Sequence, residues 1–294
     1  FGVNSIIVKS HPVWLPKGNE DNSIKKILEL VIAKEKNFNL DKFNDNVAAT
    51  MACKMSIKAN TAITMEEMEN LINDLRKCKI PIGSYDWKGK EVYIGLDLSL
   101  TTDNVGVSMT TYDKILQKYI CKAWAFYPTD KEDEKKLKEK VPYDRYSRLG
   151  FCFPCGNRII DYGFVENFIL SLEEKYGVKI KAVTYDPYNA MSTVQKLEDN
   201  LPYADMREQR QFSTYLHVGT KRLREIVLEE KFLYEENPLL EINFNNAMLD
   251  KDTNLNLYVN KKTSNGHTDM LDALIDVMGS ITIEKGIDQG QSAN

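Results

Sequence analysis

The chain has 294 residues, 43% of them hydrophobic and 28% charged, a composition that fits a globular protein with a full core and excludes a disulfide-held miniprotein, a fibre or a disordered chain. Its 39 Lys and Arg against 43 Asp and Glu give a net charge of −4, which excludes a nonspecific polycation but leaves room for a local basic groove that binds phosphates. No apolar run reaches the roughly 20 residues that cross a bilayer, and FGVNSIIVKSHPVW lacks the regions of a signal peptide. The expectation is therefore a soluble cytoplasmic protein with no membrane partner.

Residues 1–86 read as a small, mostly helical, linker-like segment. From Asn22 to Glu35, Ile24, Ile27, Leu28, Leu30, Val31 and Ile32 fall near helical spacing, and TMEEMENLINDLRK from Thr64 opens with a T-x-x-E capping box before a face of Met65, Met68, Leu71, Ile72 and Leu75. The turn-rich link IPIGSYDWKGK then marks a boundary. Three short apolar runs, Val92 to Leu98, Val105 to Thr111 and Tyr119 to Tyr127, predict an antiparallel meander. The mixed-sign stretch from Thr129 to Lys140 predicts a solvated loop or exposed helix.

Asp161 is placed to cap a helix carrying Val165, Phe168, Ile169 and Leu172 at helical spacing, and KIKAVTY from Lys179 predicts a buried strand reached by that crossover, hence parallel to its neighbour. Helices around 190–198 and 215–230, strand-like runs at 240–244 and 255–259, and a helix over 268–283 complete the pattern. Together they predict an α/β fold, a mixed central sheet flanked by helices, over residues 87–285, with a flexible tail at 286–294.

Three acidic positions stand out. Asp97 lies inside an apolar strand, where a carboxylate is costly unless paired, hydrogen-bonded or bound to metal; the alternative is a carboxylate satisfied by Thr101 and Thr102. Asp186 ends a strand, where open α/β sheets place ligands; the alternative is a plain Asp-Pro turn. In HTDMLDALIDV, Asp269, Asp272 and Asp276 share one helix face opposite Leu271, Leu274, Ile275 and Met278. For Asp272 and Asp276 the ordinary reading is a solvated polar face, whereas Asp269 sits in the first turn, either aimed at a metal or stabilising the helix dipole. Such carboxylates from separate elements suit hard divalent cations that assist phosphodiester cleavage. Cys152 and Cys155 form a lone C-x-x-C; Cys53, Cys78 and Cys121 stand apart and His11, His217 and His267 are scattered, so reduced structural thiols are expected rather than zinc.

The order of these motifs resembles the nuclease domain of the tailed-phage terminase large subunit, a member of the RNase H-like superfamily. YIGLDLSLTTDNVGVS resembles the first acidic motif, CGNRIIDYGFV the stretch before a helix, and VTYDPYNA the second acidic motif. LREIVLEEKFLYEENPLL with NFNNAML resembles the following helix, Asn-Pro turn and Asn-rich strand, and GHTDMLDAL the last acidic motif. The resemblance covers roughly Val92 to Met278. It implies an RNase H-like fold and a phage- or prophage-encoded endonuclease that cuts double-stranded DNA during genome packaging in a bacterial host. It further implies two Mg²⁺ or Mn²⁺ ions held by catalytic Asp97, Asp186 and Asp269, with Asp272 and Asp103 as secondary ligands.

Lys221, Arg222, Arg224, Lys261 and Lys262 are candidate DNA-phosphate contacts. Implied partners are double-stranded DNA, a small terminase subunit, a portal protein and a packaging ATPase, the last in a longer or separate chain. GSYDWKGK, from Gly83 to Lys90, has one spacer too many for a P-loop and continues with Glu91 instead of Ser or Thr. Two other classes share part of the pattern: an actin-like or sugar-kinase-type ATPase, whose phosphate hairpin IGLDLSLTTDNVGVS also resembles, and a catalytically inactive docking module on the same core.

Overall fold

Strand-forming runs broken by turn residues set the order of elements. The computed structural model describes residues 63, 65–98, 104–130, 132–139, 141–188 and 190–284, all within one compact unit, 60–294. The expected helix over 22–35, the capping residue Thr64, Asp103 and the tail lie outside the described residues. Helix α1 (Met65–Lys77) leads into the short strand β1 (Lys79–Ile80), followed by β2 (Glu91–Asp97), β3 (Val105–Asp113) and β4 (Lys118–Tyr127). The last three form the expected antiparallel meander, with Asp97 opposite Gly106 and Gly106 opposite Ala125. The charged stretch then contributes helix α2 (Glu132–Glu139), followed by α3 (Tyr143–Arg148) and β5 (Cys152–Pro154).

Helix α4 (Tyr162–Tyr176) begins where the Asp161 side chain accepts from the Gly163 amide and ends at left-handed Gly177, the two termini chemistry favours. It returns the chain to β6 (Lys179–Tyr185), which pairs parallel with β2. Then come α5 (Met191–Asn200), β7 (Asp205–Glu208), α6 (Ser213–Leu228), β8 (Phe232–Glu235), α7 (Pro238–Asn246), β9 (Leu249–Lys251), β10 (Leu257–Val259) and α8 (Asp269–Glu284). The main sheet runs β1-β8-β4-β3-β2-β6-β7, and β5 lies beside the second half of β4. Although the sequence reading assigns residues up to 86 to the lead-in, α1 packs on α6 and β1 joins this sheet edge through β8.

The sheet separates two apolar cores by strand alternation. Val92, Ile94 and Leu96 face one way with Val165, Ile169 and Leu172 of α4, while Tyr93 faces the other way with Leu223 of α6 and Met270 and Leu274 of α8. Ile94 and Leu96 are fully buried, each stabilising the fold by about 1.5–3 kcal/mol. Because both faces are covered, the central strands read as nearly continuous apolar runs.

Two expectations are corrected. The strand-like run 240–244 is helical and belongs to α7. Asn237 accepts from the amides of Leu239 and Leu240 and Pro238 occupies the first turn, so the Asn-Pro pair starts a helix; a short apolar run does not by itself distinguish the two periods. Of 255–259, only Leu257–Val259 is a strand, pairing antiparallel with β9 in a separate ribbon. The second correction concerns α8. Its Asp272 and Asp276 do not meet water but are 4% and 0% exposed, because the polar side of this helix packs against polar groups from the sheet and neighbouring loops.

Candidate active site

Asp97 is the last residue of β2, and its neighbours are set by two glycines. A Cβ on Gly95 would lie 1.8 Å from the carbonyl oxygen of Ala273, and one on Gly106 would lie 2.1 Å from that of Asp269. Only glycine lets the backbone of α8 rest on β2 and β3 at this distance. The first turns of α8 are thereby seated beside Asp97, bringing Asp97, Asp269, Asp272 and Asp276 into one buried acidic cluster. The positive end of the helix dipole offsets part of the charge on Asp269 and Asp272.

Lys261, from the loop between β10 and α8, reaches into this cluster. Its ammonium donates to Asp97 Oδ1 at 2.9 Å and Oδ2 at 2.8 Å and lies 3.3 Å from Asp272 Oδ2. Thr268 also donates to Asp272 Oδ2, at 2.7 Å. Burial pushes the Asp97 carboxyl up to about 7 against the opposing pull of Lys261, with Asp272 and Asp269 adding to the rise. Burial also raises Asp272, and raises Asp276 well above the carboxylate range with Asp97 and Asp272 adding to it. Gln211 donates to both oxygens of Asp276, at 3.3 and 3.0 Å. Lys261 thus faces carboxylates that repel one another.

A hydrogen-bonded chain holds Asp269 from the other side. His267 bridges Asp269 Oδ2 at 3.1 Å and Glu139 Oε1 at 2.9 Å. Tyr143 donates to Glu139 Oε2, and Asn104 donates to the Tyr143 hydroxyl at 3.0 Å. Burial acts to lower His267, but its bonds to the two carboxylates outweigh that and raise it to about 9, so the imidazole is protonated at neutral pH. Beside this chain opens a cavity of about 370 Å³ lined by Tyr143, Asn243, Asn246, Lys261, His267 and Asp269, among others.

Asp186 follows β6, whose Tyr185 pairs with Leu96, so Asp97 and Asp186 end adjacent parallel strands. The Asp186 carboxylate accepts from the Tyr188 amide at 3.0 Å, the local turn that an Asp-Pro pair favours. Among the described residues no three acidic, His or Cys side chains converge as a ligand set for a metal, and the Lys261 ammonium stands between Asp97 and Asp272.

The basic candidates separate. Lys262 is exposed next to Lys261. Lys221, Arg222 and Arg224 lie on α6, where Lys221 and Arg222 pair with Glu225. The guanidinium of Arg222 sits 5.5 Å above the Tyr119 ring, and Tyr119 pairs with Tyr112 while Ala125 pairs with Gly106, so this ring lies at the end of β4 remote from Asp97. Arg224 borders a small apolar cavity with Leu71 and Leu75 of α1. The C-x-x-C thiols are buried and free, pushed up by burial to about 12 for Cys152 and about 11 for Cys155, which leaves them protonated.

Sequence reasoning did not identify Glu139, Tyr143, Asn104 or Gln211 as site residues. Glu139 sits in a charged run without periodic signal, and only the packing of α2 near the last acidic motif distinguishes it. Of that chain only Asp269 is an expected site residue; His267, two residues before it, reads in the sequence as one of three scattered histidines.

A family model, "Terminase large subunit, endonuclease domain", matches residues 10–284. The chain belongs to this family. In fold, the terminase chain is similar to the large terminase of bacteriophage HK97, with a TM-score of 0.63 at 16% identity over 90% of this chain and 55% of that one. The chain thus spans little more than half the length of that terminase. The large terminase nuclease of thermophilic phage G20c with bound magnesium gives a TM-score of 0.46 at 11% identity, covering 74% of this chain and 96% of that one. A stretch of 81 residues is also 43% identical to DNA mismatch repair protein MutL of Bacillus pumilus (strain SAFR-032), 28% of this chain but 13% of that protein. That local likeness leaves most of MutL unmatched and transfers none of its activity. The mixed sheet with helices on both faces is the RNase H-like architecture of terminase nucleases.

Proposed function

We propose that this terminase endonuclease domain hydrolyses double-stranded DNA during phage genome packaging, with two divalent ions such as Mg²⁺ or Mn²⁺. The observation that carries the reading is the buried cluster of Asp97, Asp269 and Asp272 at the carboxyl end of the central strands. Its donors are hard carboxylate oxygens, the set that suits Mg²⁺ or Mn²⁺. Asp97, Asp269, Asp272 and Glu139 outnumber the cations Lys261 and His267 that face them, which also favours a cation of higher charge; the residues fit the ions in chemistry, and holding one requires Lys261 to give way and the carboxylates to close on it.

Asp97, Asp186 and Asp269 would hold the ions, with Asp272 and Asp103 in support. Bound there, the ions would supply activation of water and stabilisation of the leaving 3′ oxygen. The protein's own part is positional. Gly95 and Gly106 fix the helix that carries two of the carboxylates, and His267 orients Asp269 through its Oδ2. Lys262, exposed beside Lys261, is our candidate phosphate contact. The small terminase, portal and packaging ATPase are the partners this role calls for.

The test is incubation of the purified protein with supercoiled plasmid and Mn²⁺ or Mg²⁺, beside Asp97→Ala and an EDTA control. Nicking and linearisation should require the metal and fall at least about 100-fold in the variant. Cleavage that survives the substitution, or none with any divalent ion, refutes the assignment.

A further inference from the structure

We propose that Lys261 is a built-in counter-cation of the acidic cluster that an incoming divalent ion must displace, so that one side chain sets the metal affinity of the site. The inference rests on the metal-binding reading above and adds a competitor to it. Both carboxylate oxygens of Asp97 are engaged by the Lys261 ammonium at 2.8–2.9 Å, and Asp272 Oδ2 lies 3.3 Å from it. These oxygens belong to residues 2% and 4% exposed, so water does little to satisfy them. A metal ion bound to Asp97 would require the same lone pairs that the ammonium occupies.

The lysine is built to leave. Its side chain retains 47% of its exposure whereas those of Asp97 and Asp272 retain 3% and 5%, so the carboxylates are fixed and the cation reaches them from the rim. It sits in the loop between β10 and α8, just after Asn260, whose side chain donates to Asp250 at 3.1 Å. The backbone at Lys261 is therefore tethered while four side-chain torsions remain to swing the ammonium outward. Aspartates facing this ammonium come from two elements: Asp97 from β2, and Asp269 and Asp272 from α8. Removing the ammonium without replacing its charge leaves them mutually repelling, the situation in which a buried charge is most costly.

Two substitutions and one chemical probe test this on the intact chain. Lys261→Met keeps the aliphatic stem and removes the charge, while Lys261→Arg keeps the charge. By isothermal titration with MnCl₂, Lys261→Met should bind Mn²⁺ at least about tenfold more tightly than wild type, the scale of a modest charge-pair coupling. Its metal-free melting temperature should fall, and saturating Mn²⁺ should raise that temperature further than in wild type. Lys261→Arg should stay close to wild type in all three measurements.

The unmodified protein provides an independent readout in case Lys261→Met does not fold. Brief acetylation followed by peptide mass spectrometry should find Lys261 protected in EDTA and several-fold more reactive with Mn²⁺ present. Equal Mn²⁺ affinity in wild type and Lys261→Met, or Lys261 reactivity that ignores bound Mn²⁺, overturns the displacement while leaving the metal site standing. No Mn²⁺ uptake by either protein overturns both the displacement and the metal reading beneath it.

Discussion

Replacing Gly106 by alanine would put a Cβ 2.1 Å from the carbonyl oxygen of Asp269, 2.4 Å from its carbonyl carbon and 2.7 Å from the Met270 nitrogen. All three are backbone atoms, so no rotamer change relieves the contact. Strand β3 and helix α8 must move apart by about 0.9 Å to restore the 3.0 Å below which real Cβ contacts essentially do not occur. Overpacking of this kind costs about 1–3 kcal/mol, which for a unit of this size lowers Tm by roughly 2–12 °C. The same displacement moves Asp269 relative to Asp97, and a misplacement near 1 Å costs on the order of 100-fold in rate. Thermal melts and Mn²⁺-dependent plasmid nicking measure the two effects. Gly83→Ala is the control: its φ of 71° strains any other residue, but its Cβ would meet open space, so it should lose about 1 kcal/mol with activity per folded molecule intact. Wild-type nicking by Gly106→Ala would refute the claim that glycine at this position sets the site geometry.

Other expectations concern the polar network. His267 is held at about 9 against an ordinary 6.5, so its contribution is fully present below about pH 6.5 and is lost as pH rises through 9. Melts in EDTA across that window should show a decline in Tm that His267→Gln flattens; parallel curves would contradict it. Asp276 is buried and raised well above its ordinary value by that burial, so Asp276→Asn, neutral and isosteric, should not destabilise the metal-free protein at pH 8. A lower Tm for that variant, read by the same melts, would show that the ionised carboxylate is needed. Tyr143→Phe deletes the donor to Glu139 and the acceptor for Asn104 and should cost about 1–3 kcal/mol by denaturant titration, whereas an unchanged midpoint would show that the chain carries no stability.

Much of the fold was legible because strand alternation and helix periodicity are local consequences of backbone geometry. The meander β2–β4, the Asp161-capped α4 and the parallel β6 follow from runs of a few residues whose side chains bury on both sheet faces. Residues 240–244 are not legible in the same way, because LLEINF satisfies either period and only the Asn237 cap resolves it. The acidic positions were legible for a different reason: a carboxylate inside an apolar strand needs a partner wherever the chain goes.

The partner itself was not legible. Lys261 is separated from Asp97 by 164 residues, and no periodicity links them. Glu139 lies 128 residues from His267, in a stretch whose composition predicts only solvation. The sequence by itself determined which elements form, which carboxylates must be satisfied and, through the order of its motifs, the family. The tertiary structure alone decided that α8 rests against Gly95 and Gly106, that Asp272 and Asp276 are buried, and that Lys261 lies between Asp97 and Asp272. These depend on contacts between distant segments, whose energies arise only when the chain has closed on itself and water has been excluded from between the charges.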